Sequence, residues 1–156
     1  MDIPETCHKG IAITSHVHHQ LVLDVVGESL TNFTSSWQLV QAIHNTLLTH
    51  QAAFNIGFLH WDLSPRNIII VGNHGYLIDW DLAKLTNIET PCWGTWQFMS
   101  AGLVKNISVK HTCQYDLESS FWVLLWTTLM YSESSFFIDE HSKVIQQTFK
   151  LERQHK

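Results

Sequence analysis

Cationic side chains are scarce in this sequence, and cysteines scarcer. Nine Lys and Arg stand against fourteen Asp and Glu, a net charge of -5. Lys9 is the only Lys or Arg before Arg66, and no basic run occurs anywhere. Nothing therefore selects for nucleic acid or for an anionic membrane surface. Cys7, Cys92 and Cys113 are odd in number, widely spaced and without a C-x-x-C. They imply neither a disulfide framework nor a zinc site, and they suit a reducing intracellular compartment, cytoplasmic or nuclear. The segment Met1 to Gly10 has acids, Pro4 and no apolar h-region, so no signal peptide is expected. Without a secretory route the glycosylation patterns at Asn32 and Asn106 are expected to stay idle. The longest apolar stretch, Phe121 to Tyr131, contains two threonines and is too short to cross a bilayer.

What is present supports one hydrophobic core, since 45% of the 156 residues are hydrophobic. The most informative stretch runs from His60 to Asp81: H-W-D-L-S-P-R-N, then I-I-I-V-G-N-H-G-Y-L-I, then D-W-D. Ile68 to Val71 is apolar and mostly β-branched, which reads as a strand. Gly72 to Gly75 is turn chemistry, and Tyr76 to Ile78 resumes the strand. A tight hairpin brings its two ends together, so Asp62, Asn67 and Asp79 are expected to converge at one mouth. Two acids and an amide oxygen in one place suit Mg²⁺, a hard cation that pairs with phosphates. The third polar group is then free to hold a substrate hydroxyl.

Before that stretch, Leu21 to Val26 reads as a buried strand ended by Gly27. His16-Val17-His18-His19 precedes it, and His16 and His18 share one strand face, as metal ligands or as the polar flank of an edge strand. Ser35 or Ser36 opens a helix, with Gln38 placed for a capping box and Gly57 as its stop. Trp37, Val40, Ile43, Leu47, Leu48 and Ala52 recur at helical spacing as its core stripe, and His44 and His50 are assigned to its polar face. Downstream, Asp116 reads as the N-cap of a helix over Leu117 to Tyr131, with Trp122, Leu125, Trp126 and Leu129 buried. Val144 to Lys156 reads as a charged helical tail. The divisions expected are a loose lead-in over 1–19, a domain over 20–131 and a polar tail over 132–156.

H-x-D-x-x-x-x-N, an apolar hairpin and D-x-x together resemble the catalytic and metal loops of the protein-kinase fold. Gly94 to Ser100, G-T-W-Q-F-M-S, resembles the end of an activation segment. Asp116-Leu117-Glu118-Ser119 resembles the start of the central helix of the C-terminal lobe. With L-I-D-W-D-L-A, these segments are similar to the fungal group of serine/threonine protein kinases over roughly residues 20–131.

The resemblance implies an α+β fold of kinase C-lobe type, mainly helical, with a small β-hairpin carrying both loops. It implies ATP and Mg²⁺ as cofactors and a protein substrate or partner protein. Asp62 is then the base that accepts the hydroxyl proton, and Asn67 and Asp79 are the metal ligands. Val26, Gly27 and Glu28, with Val25, fall by chain order at the hinge that touches adenine. Thr95 is expected to hydrogen-bond Asp62, His60 to pack on Trp80, and Asp116 to accept hydrogen bonds from the catalytic-loop backbone.

The chain also departs from the pattern. Trp61 replaces the Arg that meets a phosphorylated activation loop, and Ser64 replaces a phosphate-holding Lys. Either Arg66 supplies that charge or it is a solvated loop residue. Ser100-Ala101-Gly102 stands for the usual Ala-Pro-Glu, leaving no Glu there to anchor the segment. Asp81 replaces a Gly, as in aminoglycoside and choline kinases, and is either another metal ligand or a turn cap. No G-x-G-x-x-G precedes residue 60 and no V-A-I-K-like lysine is present. A truncated kinase domain, largely without its N-terminal lobe and weakly active or inactive alone, is expected. Two alternatives remain: a pseudokinase or interaction module with a Trp-rich surface, and a small-molecule phosphotransferase.

Overall fold

The computed structural model describes residues 25–86, 94–105, 109–133 and 138–149. His16, His18, most of the strand expected over Leu21 to Val26, Pro91 and Trp93 lie outside them. Val26 is 91% exposed rather than buried. The first strand is β1, Glu28–Ser29, followed by a 3-10 turn over Leu30–Asn32 whose Leu30 is fully buried.

Helix α1 spans Ser36–Asn55, and its ends form as the sequence predicts. The Ser35 hydroxyl accepts the Gln38 amide at 3.2 Å. Gln38 returns the bond one residue further back, where its Oε1 accepts from the Thr34 amide at 2.7 Å. Gly57, with φ +90°, takes the left-handed position that ends the helix.

The buried face of α1 differs from the expected stripe. Leu39, Ala42, Ile43, Thr46 and His50 are buried, whereas Trp37, Val40 and Leu48 are exposed. The cause is close approach. A Cβ added at Gly75, on the strand beneath, would overlap the Ala42 carbonyl. Backbones that near admit alanine and threonine but not tryptophan. His50, assigned to the polar face, is only 1% exposed.

Four further strands follow: β2, Phe58–Leu59; β3, Ile68–Val71; β4, His74–Leu77; and β5, Lys84–Leu85. One antiparallel sheet has the order β1-β3-β4, and β2 pairs with β5 in a second. The β3–β4 hairpin is tighter than the four-residue turn expected, because Val71 pairs with His74 across Gly72-Asn73 alone. Gly72 has φ +61° at the first central position, as a type II′ turn requires.

Helices α2, Ala101–Lys105, α3, Cys113–Tyr131, and α4, Ile138–Phe149, complete the described elements. Thr112 caps α3, so Asp116 lies inside its first turn and is not the cap. The buried face of α3 is Asp116, Ser119, Ser120, Val123 and Thr127, while Trp122, Leu125, Trp126 and Leu129 are half-buried. Ser119 and Ser120 fit this interior because they bond along their own helix, whereas the buried Thr127 hydroxyl has no partner among the described residues. Ser119 donates to the Tyr115 carbonyl, Ser120 to that of Asp116, and Thr46 on α1 to that of Ala42. Helix α4 begins earlier than the expected tail and is docked: Phe149 is buried, its ring centroid 6.1 Å from that of Trp122.

Leu30, Leu39, Ile43, Leu63, Ile68, Leu77, Phe98 and Val123 make up most of one core that joins α1, the three-stranded sheet and α3. The described residues form an α+β fold, and no helix among them is long and apolar enough to cross a membrane.

Candidate active site

The open end of the hairpin sets the site. Ile68 pairs with Leu77, and the next amide, Ile78 N–H, donates to the Asn67 carbonyl at 2.9 Å. The Ile78 carbonyl accepts from His60 Nε2 at 3.0 Å. Asp79, next in the chain, is thereby held beside the loop that carries Asp62 and Asn67. With Nε2 donating, His60 Nδ1 is left to accept the Asp62 amide at 3.3 Å. Burial lowers the His60 pKa below the ordinary 6.5, against the opposing pull of the Ile78 carbonyl. The neutral ring this geometry needs is thus the favoured one. Its edge meets Trp80 at a centroid distance of 4.6 Å, the packing expected.

Asp62 is held from two sides. Its Oδ1 accepts the Thr95 amide at 2.7 Å and the Thr95 hydroxyl at 2.8 Å. Its Oδ2 accepts Asn67 Nδ2 at 3.1 Å, and the same amide group donates to the Asp62 carbonyl at 2.8 Å. A carboxylate has about four acceptor sites, so one remains open. Because Asn67 spends its NH₂ on Asp62, its Oδ1 is the free end, without a partner among the described residues.

Asp79 is exposed at φ +61°, a left-handed conformation that Asp tolerates better than most residues. Asp79 and Asp81, also exposed, have no hydrogen-bond or ion-pair partner among the described residues. No group of three or more His, Cys, Asp or Glu among those residues is placed to hold a metal. Gly27 and Glu28 lie against β3, where Glu28 pairs with Ile70 and Gly27 abuts the Ile69 side chain. They are near the loop through the sheet, while Val26 faces solvent.

Trp61, directly before Asp62, adopts φ +73°, which is rare for a bulky residue. Packing holds it there. Its ring is 4% exposed and stacks on His111 at 4.7 Å and 17°, with Lys84 Nζ 4.6 Å from its centroid. His111 is fixed in turn by Asp116, whose Oδ1 accepts His111 Nε2 at 2.6 Å and whose Oδ2 accepts His50 Nε2 at 2.7 Å. Burial pushes the Asp116 carboxyl upward, but the two histidine hydrogen bonds and their charge outweigh it and bring it down to about 2. This corrects the expected role: the Asp116 oxygens hold two histidines rather than the loop backbone. The carboxylate supports Asp62 indirectly, through His111 and Trp61.

His50 and His111 were not identifiable from sequence as a pair, for they are far apart and fit no motif. Glu118 is a second such residue. Its Oε1 accepts the Ala101 amide at 2.9 Å and Trp122 Nε1 at 3.2 Å. The segment that lacks Ala-Pro-Glu is thus tethered by a carboxylate from α3.

In comparison with protein families, the chain matches the family described as fungal protein kinase over residues 4–128. No curated protein matches the chain. The matched span holds Asp62, Asn67, Asp79, Thr95 and Asp116 alike, and the chain belongs to the fungal protein kinase family.

Proposed function

We propose that this site performs ATP- and Mg²⁺-dependent phosphoryl transfer to a Ser or Thr hydroxyl of a protein. The observation that carries this is the Asp62 carboxylate, fixed by Thr95 and Asn67 with one acceptor position open. A carboxylate so placed orients the hydroxyl and takes its proton as oxygen bonds to the γ-phosphorus and ADP departs. Asn67 Oδ1 and the Asp79 carboxylate are hard oxygen donors without other partners, and so fit Mg²⁺. Two protein ligands suit an ion that arrives with the nucleotide's phosphates, whose charge it neutralises when bound. Asp81 is a further candidate ligand, and Val26, Gly27 and Glu28 are proposed for the adenine end by chain order. The spaced cysteines suit an intracellular setting.

With no G-x-G-x-x-G and no V-A-I-K-like lysine before residue 60, the 156-residue chain alone is proposed to be weakly active or inactive. A labelled γ-phosphate transfer assay tests the reading. Expected is Mg²⁺-dependent transfer well below about 1 per second that disappears in Asp62→Ala. Transfer unaffected by Asp62→Ala would contradict it.

The exposed row Trp37, Val40 and Leu48 on α1 favours a second reading, an interaction module. A partner complex that survives both Asp62→Ala and Asp79→Ala would support it.

A further inference from the structure

A cavity of about 520 Å³ opens on the Thr95 side of the Asp62 loop. Ser64, Pro65 and Arg66 form one wall, Thr95 a second, and Phe98 and Trp126 the base. Thr95 also donates two hydrogen bonds to Asp62 Oδ1, so the cavity begins one side chain from the proposed base. Its base is preformed: Phe98 meets Trp126 edge-on at 5.7 Å. Among the described residues of the lining, Arg66 is the only charged one, and none is Asp or Glu. The Arg66 guanidinium is exposed, with no hydrogen bond or ion pair among the described residues. Ser64, though 2% exposed, has no partner for its hydroxyl among the described residues. A free guanidinium beside the Ser64 hydroxyl over an apolar base is an anion-accepting surface for an extended chain.

We infer that this cavity selects protein segments carrying an acidic residue, Asp, Glu or a phosphorylated side chain, next to the hydroxyl that approaches Asp62. The inference rests on the phosphotransferase reading and names the substrate class of that site. Arg66 is the specificity-determining residue, binding the carboxylate or phosphate through its planar fork of donors. The overall charge of -5 opposes acidic partners in general, so the preference is local to this cavity.

The test is binding of labelled Ser-containing peptides to the 156-residue chain, with Glu, Gln or Lys flanking the serine, read by fluorescence anisotropy. The Glu peptide is expected to bind about fivefold more tightly than the Gln peptide, an advantage that shrinks at high salt. Arg66→Ala should remove the advantage, and Arg66→Glu should invert it in favour of Lys. Both variants are exposed-site changes whose folding is confirmed by an unchanged Tm. Equal affinities, no binding of any peptide, or a preference indifferent to Arg66 would each overturn the inference. So would Arg66 variants that alter Mg²⁺-ATP binding and leave peptide preference intact, for Arg66 would then serve the nucleotide phosphate. Binding does not require turnover. A charge preference alongside phosphate transfer that Asp62→Ala leaves unchanged would therefore count against the phosphotransferase reading and leave the cavity's selectivity standing.

Discussion

Gly94 occupies a place that admits no other residue. Its φ is +147°, and a Cβ there would stand 2.7 Å from the Trp61 carbonyl. Thr95 follows it directly, so Gly94 sets the approach of Thr95 to Asp62. Gly94→Ala is expected to cost about 1–3 kcal/mol in urea unfolding, from backbone strain and overlap together. An unchanged midpoint would show that the Thr95 segment is held elsewhere. His60 works through both ring nitrogens, one on the Ile78 carbonyl and one on the Asp62 amide. His60→Phe keeps the contact with Trp80 but leaves two part-buried polar groups unpaired, a loss of about 1–3 kcal/mol by the same measurement. Asp116→Ala removes the carboxylate that two buried histidines share and should destabilise by about 3 kcal/mol or more. A loss below about 1 kcal/mol would mean that His111 does not depend on it.

At the scale of elements, local chemistry was legible and packing partners were not. Ser35, Gln38 and Gly57 mark the ends of α1 because capping and left-handed glycine act within a few residues. Gly72 marks the hairpin for the same reason, although His74 and Gly75 proved to be strand rather than turn. The buried face of α1 was misread because hydrophobicity suggested Trp37, Val40 and Leu48. Size decided it, since the backbones of α1 and β4 nearly touch at Ala42 and Gly75. The same holds for α3, where Ser119, Ser120 and Thr127 are interior and the tryptophans flank them. That Asp62 meets Asn67 and Thr95 was legible, because each lies in a contiguous motif. The His50–Asp116–His111 support joins three separate segments and left no pattern to find. Gly75→Ala, at the tightest crossing, should destabilise strongly. Gly27→Ala, which meets only the Ile69 side chain, should cost less. The reverse order in thermal melts would contradict this packing.

For the whole molecule, acid should weaken the fold in two stages. His60 has a folded pKa below 6.5, so on acidification the unfolded chain takes up that proton first. Its contribution is therefore complete above 6.5 and lost as pH falls through that range. Asp116 sits at about 2 against an ordinary 3.8, so its contribution, roughly 2 kcal/mol, is present above 3.8 and lost between 3.8 and 2. Urea midpoints measured from pH 7 downward should show both declines, with the lower one absent in Asp116→Asn. A midpoint flat to pH 3 would contradict both assignments.

The most direct test of the account is thermal unfolding of the whole chain with and without Mg²⁺-ATP, beside Asp79→Ala. A ligand at about a hundred times its Kd stabilises by roughly 2.7 kcal/mol. The account predicts an upward shift in Tm that requires Mg²⁺ and disappears in Asp79→Ala. A folded chain with no shift, or an equal shift in the variant, would contradict the assignment of Asn67 and Asp79 to a metal–nucleotide site.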